Sequence, residues 1–290
     1  MPQALIRSFF DLATSTVTHV LADPESKRAA IIDAVLDYDP KASRTSTTSA
    51  DELIAWVRAE GLAVDWLLET HAHADHLSAA PYLQERLGGQ IAIGAHIRDV
   101  QSVFKRLFND DGIATDGTPF DHLLQDGERV ALGALTIEVM HTPGHTPGCV
   151  SFAVASDAGL DVFIGDTLFM PDYGSARCDF PGGDAATLYR SVRKLLALPP
   201  QTRLHLCHDY PGSARTPQWV STVAEQRRDN VHVHDGIDEA TFVAMRTARD
   251  QTLAKPVLLL PAIQVNVRAG HWPAPEANGV SYLKIPLNKV

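Results

Sequence analysis

The chain has little cysteine, no long apolar run and no excess of positive charge. Its three cysteines, Cys149, Cys178 and Cys207, are too few and too scattered for a disulfide framework, and no CxxC zinc pattern is present. A reducing compartment suits such cysteine usage. No apolar stretch approaches the roughly 20 residues that span a bilayer, and the first residues lack the apolar run of a signal peptide. We therefore expect a cytoplasmic protein with no membrane partner.

The excess of acidic over basic residues limits which classes of partner the protein can bind. The formal net charge is −10 over 290 residues. Because binding a phosphate backbone needs basic surface, nucleic acid is not expected as a main partner, whereas small anionic substrates stay open. The content of 45% hydrophobic and 21% charged residues is that of an ordinary globular protein. The 13 histidines are unusual, and their positions carry more information than their number.

Strand and helix patterns alternate along the whole chain. Strands are predicted at 17–22, 29–36, 64–69, 91–93, 129–131, 135–140, 149–155, 162–165 and 203–207. Helices are predicted at 49–60, 79–87, 96–108, 187–198, 217–228 and 239–249. Ser49 and Glu52 predict a capping box for the first helix. Segment 109–126 is predicted to be a loop, and prolines interrupt the tail at 253–290. Strands in both halves with helices between them predict two mixed sheets packed face to face, with helices outside.

The strongest chemical signal is the segment THAHADH at 70–76. It places four ligand-type side chains directly after a predicted strand: His71, His73, Asp75 and His76. This spacing does not follow one face of a helix, but it suits a loop around a cation. Imidazole and carboxylate ligands favour zinc, iron or manganese. The alternative is a solvated histidine-rich surface loop, against which three further polar residues in matching settings argue.

The first of these three is His145, in the segment HTPGHTPG at 141–148. Two Pro-Gly turns hold this histidine rigidly after a predicted strand. The glycines indicate a close backbone approach. His141 precedes the turns, and we expect it to support the fold or the ligands rather than to bind the cation.

The other two are Asp166 and His208, each of which also follows a predicted strand. Asp166 lies between two apolar segments, so its carboxylate should be partly buried, which is costly unless it is paired or binds a metal. His205 is out of phase with its apolar neighbours and is predicted to face solvent. Ligand-type residues at four strand ends therefore predict a shared metal site.

With these residues the chain resembles the metallo-β-lactamase superfamily, whose HxHxDH motif is present at 71–76. The resemblance covers roughly residues 10 to 210 and implies an α+β fold, an αββα four-layer sandwich with the site at one edge of the two sheets. We expect residues 1–212 to form the catalytic domain and the helices and tail at 213–290 to pack on it. The resemblance also implies two metal positions, one held by His71, His73 and His145 and the other by Asp75, His76 and His208, with Asp166 bridging.

Within the superfamily the chain is similar to the glyoxalase II branch, because Asp166 stands where many true β-lactamases have a cysteine. It looks most like bacterial persulfide (sulfur) dioxygenases, on segments such as GDTLF at 165–169 and RCDF at 177–180. That resemblance implies one Fe(II) per chain, held by His71, His145 and Asp166. Two histidines and one carboxylate leave open positions for oxygen and a sulfur substrate. The implied reaction converts glutathione persulfide and O2 to sulfite and glutathione, while nearby groups orient the ligands: His73, Asp75, His76 and His208.

Asp75 and Tyr210 are the candidate catalytic residues, and Arg177 and Tyr210 are the candidate substrate-binding residues. Arg177 is expected to make a bidentate contact with a glutathione carboxylate; the alternative is an ordinary surface salt bridge. Tyr210 follows His208 and is expected to hydrogen-bond the substrate; the alternative is a half-buried core tyrosine. The cysteines are expected to be inert small hydrophobes.

Two other functions compete with the dioxygenase. A dinuclear hydrolase of the glyoxalase II (thioesterase) or β-lactamase type would use two Zn(II) per chain, since a bound metal lowers the pKa of water to about 7 and every ligand is present. A non-catalytic binding module is expected to have lost ligands, whereas this chain keeps all seven. The apolar run at 257–260 predicts a homodimer contact.

Overall fold

The computed structural model describes residues 2–213 and 215–289. The strands in these ranges are β1 Leu5–Asp11, β2 Thr16–Ala22, β3 Arg28–Ile32, β4 Val35–Asp39, β5 Arg44–Ser46, β6 Ala63–Glu69, β7 Leu77–Ser78, β8 Gln90–Gly94, β9 His122–Leu124, β10 Arg129–Leu132, β11 Leu135–His141, β12 Val150–Ser156, β13 Gly159–Phe163, β14 Arg203–His205 and β15 Val220–Thr222. The helices are α1 Thr48–Ala59, α2 Ala80–Leu87, α3 Ile97–Phe108, α4 Ala185–Leu196, α5 Val223–Asp229, α6 Glu239–Asp250 and α7 Leu259–Asn266.

Two six-stranded mixed sheets form the centre of the molecule. The first has the order β1-β2-β3-β6-β8-β9, and the second has the order β10-β11-β12-β13-β14-β15. A small third sheet, β5-β4-β7, lies beside them. Parallel pairing of β3 with β6, β6 with β8, and β13 with β14 brings several strand C-terminal ends to one edge.

Three apolar clusters show how the layers pack. The middle cluster joins the facing sides of both sheets, for example Ile32 and Leu68 with Phe152 and Phe163. A second cluster packs α1, α2 and α3 on the outer side of the first sheet, and a third packs α4 and α6 on the outer side of the second. Burial of these faces is the main favourable term for the fold. The predicted αββα sandwich is therefore confirmed.

Several predicted elements have different bounds in the structure. The run 29–36 is two strands, divided at Asp33, whose backbone φ of 54° lies in the left-handed region. The predicted loop 109–126 contains β9 at the edge of the first sheet, and the predicted helix 217–228 begins as β15. The tail contains α7, whose Ala262 and Val265 pack on Leu77. Strand β1 was not predicted.

The capping box predicted at Ser49 is wrong. The Ser49 hydroxyl donates to Asp37 instead, because β4 packs beside the start of α1. A capping box forms at α5, where Thr222 accepts from the backbone N–H of Glu225 and the Glu225 carboxylate accepts from the backbone N–H of Thr222. Local sequence alone does not show which side chain is free to cap.

The prediction that His205 faces solvent is also wrong. Its side chain is 5% exposed, it stacks on Phe163, and its Nε2 atom lies 2.8 Å from the Asp161 carboxylate. Helices cover the outer face of β14, so both faces of this strand are buried. The alternation of polar and apolar residues therefore does not identify a solvent-exposed face. Among the described residues, no helix has the length and apolarity needed to cross a membrane.

Candidate metal centre

The predicted ligands meet at the edge where four strands end. His71, His73, Asp75 and His76 lie on the loop between β6 and β7, and His145 lies in the turns between β11 and β12. Asp166 follows β13 and His208 follows β14. All five histidines of this set are buried: His71, His73, His76, His145 and His208. Their burial excludes a solvated histidine-rich surface loop.

His71, His145 and Asp166 form one compact group. Their ligand atoms lie within 4.8 Å of one another. The Asp166 Oδ2 atom is 3.9 Å from His71 Nε2 and 3.7 Å from His145 Nε2. Separations of this size are too long for hydrogen bonds but leave space for an ion between the three atoms.

The other ring nitrogens of these histidines are already engaged. The Nδ1 atom of His145 donates to the carbonyl oxygen of Arg177 at 2.8 Å, and Nδ1 of His71 lies 3.0 Å from the Thr70 hydroxyl. A hydrogen bond at one ring nitrogen fixes the ring and leaves the other nitrogen to bind a metal. Both Nε2 atoms therefore face Asp166 ready to act as ligands.

A second group lies next to the first. His73, Asp75 and His76 offer ligand atoms within 4.8 Å of one another, and so do His73, Cys207 and His208. The Asp75 Oδ2 atom is 3.2 Å from His208 Nε2 and 3.4 Å from His76 Nδ1. Cys207 was predicted to be an inert small hydrophobe, and no pattern in the sequence indicated that it lies beside His73 and His208.

Five buried polar atoms at the centre have no hydrogen-bond partner among the described residues: His71 Nε2, His73 Nδ1, His76 Nε2, Asp166 Oδ1 and His208 Nε2. Leaving buried polar atoms unpaired is costly, and a cluster of them calls for a missing ion or water. All five belong to side chains of metal-ligand type. The residues present therefore fit a bound metal ion, at one or two positions.

Burial and neighbouring charges set the protonation of the centre. Burial, with the nearby His73, holds the pKa of His71 well below its ordinary value, so the ring is neutral and able to bind a metal. Burial alone would raise the pKa of Asp75, but His208 and His76 outweigh it and hold that pKa well below the usual range. Asp75 is therefore an ionised acceptor at neutral pH.

The centre opens into a cavity of about 480 Å³. Asp75, His145 and Asp166 line its floor, and Tyr210 and Arg177 line its wall. A volume of this size suits a small organic substrate. The structure thus brings both predicted substrate residues to the cavity that holds the predicted ligands.

Tyr210 is 37% exposed and stacks at 5.6 Å on the His208 ring. Burial, with the nearby Asp75 and Asp166, raises the pKa of Tyr210 far above its ordinary value, so the hydroxyl stays protonated as a donor. It is therefore a cavity residue rather than a core tyrosine.

Arg177 is more constrained than its predicted role requires. Its guanidinium makes two hydrogen bonds to Asp179, at 2.6 and 2.8 Å, and a third to the carbonyl oxygen of Ala254. Only 12% of the side chain is exposed. The salt-bridge alternative thus describes its contacts, and its binding of a substrate carboxylate stays a prediction.

The cysteines are free and buried. Burial raises the pKa of Cys149 to about 12, and burial likewise raises the pKa values of Cys178 and Cys207. Since the thiolate is the nucleophile, buried thiols of this kind are unreactive at neutral pH.

Comparison with known proteins identifies the family. The family model described as the metallo-beta-lactamase superfamily matches residues 15–208. The chain belongs to this superfamily. Its members are metal-dependent enzymes, in agreement with the histidine and aspartate groups that converge at the strand ends.

Individual members of the superfamily resemble the chain over most of its length. A probable metallo-hydrolase of Burkholderia pseudomallei is 60% identical, covering 98% of this chain and 99% of that protein. The mitochondrial persulfide dioxygenase ETHE1 of Homo sapiens is 33% identical, covering 92% of this chain and 89% of that protein. The crystal structure of ETHE1 from Myxococcus xanthus has a TM-score of 0.73 at 28% identity, covering 92% and 100% of the two chains. Because the relatives' names differ in reaction, the choice between dioxygenase and hydrolase rests on the metal centre.

Asp33 supports the candidate metal centre, although no pattern in the sequence predicted that it would. Its carboxylate accepts from the Thr70 backbone N–H at 2.7 Å, from the Thr70 hydroxyl at 2.9 Å and from His73 Nε2 at 2.9 Å. These contacts orient His73 so that its Nδ1 atom faces the centre. Glu69, whose pKa is raised well above its usual value by burial and by Asp33, lies 3.6 Å from the same His73 nitrogen.

Asn266, at the end of α7, holds the ligand loop from the other side. Its amide nitrogen donates to the carbonyl oxygens of His73 and His76, both at 2.8 Å, and its amide oxygen accepts from the Ser78 N–H at 2.9 Å. The tail, which the sequence left unassigned, therefore fixes the backbone of the loop that carries four of the candidate ligands.

Proposed function

We propose that the chain is a mononuclear non-haem iron enzyme that oxidises glutathione persulfide. One persulfide, one O2 and one water give one glutathione, one sulfite and two protons. The outer sulfur is oxidised and dioxygen is reduced, so no further reductant is needed. In this proposal His71, His145 and Asp166 hold one Fe(II) per chain.

The observation that carries the proposal is the composition of the tightest group. It contains two histidines and one carboxylate whose ligand atoms lie within 4.8 Å of one another, and the carboxylate and one histidine line the cavity. This ligand set is typical of non-haem Fe(II) oxygenases and leaves coordination positions open on the cavity side. The similarity to a protein named persulfide dioxygenase supports the same reaction.

Bound iron would supply positions at which dioxygen and a sulfur atom meet. The chain's own residues would do the remaining work. Tyr210 donates a hydrogen bond to the substrate from the cavity wall, since its raised pKa keeps the hydroxyl protonated. Asp75, ionised beside His208 and His76, accepts hydrogen bonds from the substrate or from water in the cavity. The apolar side chains of Phe169 and Phe180 keep water from part of the cavity.

A dinuclear zinc hydrolase is the second candidate. It is favoured by the adjacent group of His73, Asp75 and His76, which offers a second metal position. It is also favoured by the 60% identity to a probable metallo-hydrolase. There Asp166 would bridge two metals, and the substrate would be a thioester or a β-lactam.

Oxygen uptake separates the two candidates. Purified protein is given glutathione persulfide in an oxygen electrode, and sulfite is measured at the end. S-Lactoylglutathione and a chromogenic β-lactam are tested in parallel for hydrolysis. The proposal predicts one sulfite per O2 consumed and negligible hydrolysis. Rapid hydrolysis without oxygen uptake would establish the hydrolase instead.

We propose a cytoplasmic homodimer with a catalytic part at 1–212 and a supporting part at 213–290. Nucleic acid and membrane have no part in the proposed reaction. Size measurement in solution tests the dimer.

A further inference from the structure

The thiol of Cys207 lies beside the metal centre. Cys207 is two residues past the end of β14 and immediately before His208, so one backbone segment carries both side chains. Its sulfur atom and one ring nitrogen of each of His73 and His208 lie within 4.8 Å of one another. Over residues 2–213 and 215–289, Cys149 and Cys178 belong to no such group of ligand-type side chains. The fold therefore brings this thiol in particular to two candidate ligands.

Within the described part of the chain, both histidines of this group have a ring nitrogen without a hydrogen-bond partner. These atoms are His73 Nδ1 and His208 Nε2, and both side chains are at most 1% exposed. The opposite nitrogens are occupied, because His73 Nε2 lies 2.9 Å from the Asp33 carboxylate and His208 Nδ1 donates to the carbonyl oxygen of Ser15 at 3.1 Å. Rings fixed in this way leave the other nitrogen to a metal, and unpaired buried nitrogens call for a missing ion or water.

The donor atoms of this group differ in kind from those of the proposed iron ligands. Two imidazoles and a thiolate are a softer set than two imidazoles and a carboxylate, and thiolate ligands select zinc and copper(I). Sites built from histidine and cysteine are typical of zinc. Cys207 is also not the cysteine that many true β-lactamases have, because Asp166 stands in that position.

We propose that His73, Cys207 and His208 form a binding site for a thiophilic metal ion such as zinc. On binding, the sulfur donates an electron pair to the ion and the thiol proton passes to solvent, with no change of oxidation state. The low reactivity of the buried thiol as a nucleophile does not oppose this step, since a thiol that coordinates a metal is deprotonated outright. The inference goes beyond the proposed function, because it is argued from the donor atoms and does not depend on the reaction.

The proposed site shares a boundary with the proposed iron ligands. One oxygen of the Asp166 carboxylate lies 3.4 Å from His208 Nε2, and the other lies 3.9 Å from His71 Nε2. The carboxylate thus faces both groups, and the centre offers a harder set of donors on one side and a softer set on the other. Iron and a thiophilic ion are therefore expected at different positions in the same chain.

The test follows cadmium binding by the full-length chain. Cadmium is the probe because it is thiophilic, and because its bond to a thiolate gives an ultraviolet charge-transfer band that nitrogen and oxygen ligands do not give. Wild type, Cys207→Ala, Cys207→Ser and the control Cys178→Ala are dialysed against a weak chelator and titrated with cadmium, and calorimetry gives the affinity. Cys178 is a matched control because it is also free and buried but lies outside the group.

For wild type and Cys178→Ala we expect the band to reach its limit at one cadmium per chain. Both Cys207 variants should lack the band and bind cadmium at least about 10-fold more weakly, since even groups that only orient ligands contribute this much. Cys207→Ser keeps nearly the volume of the side chain without the sulfur, so it should behave as Cys207→Ala does. The iron content of both variants should stay close to wild type.

A band that persists in Cys207→Ala would overturn the inference, and so would a wild type without the band. X-ray absorption of zinc-loaded wild type is a second measurement that needs no variant, and it decides the question if the Cys207 variants lose iron and the band together. One sulfur neighbour at about 2.3 Å from zinc supports the site, and a shell of nitrogen and oxygen alone refutes it. None of these measurements uses oxygen uptake, so a failure of the proposed function is seen separately.

Discussion

Asp166 faces His145 across 3.7 Å with no hydrogen bond between them. The two side chains come from turns after different strands. The ligand atom of each nevertheless faces that of the other. His145 is fixed by its hydrogen bond to Arg177, and Asp166 is 8% exposed. A buried carboxylate in this position is stabilised by a cation rather than by water.

Removing the charge of Asp166 should therefore release the metal. We expect Asp166→Asn to bind iron at least about 100-fold more weakly, since loss of a ligand exceeds the 10- to 100-fold effect of groups that only orient ligands. Oxygen uptake should fall in parallel. Metal content after dialysis against a weak chelator measures the effect. Asp157→Asn, at an exposed position, is the control; iron retained by Asp166→Asn at the wild-type level would refute this role.

Two histidine variants distinguish a single iron from a pair of metals. His145→Ala removes a ligand of the proposed iron, so iron and oxygen uptake should both be lost. His76→Ala removes a ligand of the second group, so the iron content should stay close to wild type. Inductively coupled plasma mass spectrometry of both proteins measures this. Equal loss of metal from both variants would favour a dinuclear centre.

Asn266 provides a test of the tail. Asn266→Ala removes two hydrogen bonds to the carbonyl oxygens of His73 and His76, so the ligand loop should hold its ligands less rigidly. We expect iron affinity to fall by about 10-fold or more. Gln264→Ala is the matched control, because Gln264 lies on the same helix and bonds to Leu260 and Lys284 instead. If both variants lose iron equally, α7 acts through general stability.

The buried histidine His19 should make the fold sensitive to mild acid. Burial and the nearby His205 lower the pKa of His19 to about 3, from an ordinary value of 6.5. Between these two values the unfolded chain binds more protons than the folded chain, so the free energy of unfolding falls as the pH falls from 6.5 towards 3. The contribution is fully present only above pH 6.5.

The variant His19→Gln lacks the imidazole ring that binds a proton in the unfolded chain. Its free energy of unfolding should depend less steeply on pH, by up to about 1.4 kcal/mol per pH unit below 6.5. Urea unfolding of metal-free protein at pH 7.5, 6.5 and 5.5 measures both slopes. Identical slopes for the two proteins would show that His19 titrates normally.

The convergence of the candidate ligands was predictable from the sequence because these residues follow apolar strands directly, and strand ends in such a fold share one edge. The groups that support them were not. Asp33 is a turn residue inside an apparently continuous apolar run, and only its left-handed backbone separates β3 from β4. Asn266 is separated in sequence from the residues it contacts on the ligand loop by more than half of the chain, and no local sequence pattern predicts such a contact. The prediction for His205 was wrong because the alternation of polar and apolar residues identifies a solvent-exposed face only when one face of the sheet contacts water.

The substrate residues show the same limit. Arg177 was predicted to bind a substrate carboxylate, and no local pattern in the sequence shows that Asp179 pairs with its guanidinium. Asp179 lies two residues from Arg177, and the pairing of the two side chains is visible only in the folded structure. Side-chain pairing of this kind depends on rotamers and on the packing of α6, which follow from the folded structure.

The most direct test of the account is the metal content of wild-type protein purified without added metals. Mass spectrometry of the metals should find one iron per chain, with an electron paramagnetic resonance signal of a nitrosyl adduct that disappears in His145→Ala. Two zinc ions per chain, with no iron and full hydrolytic activity, would contradict it.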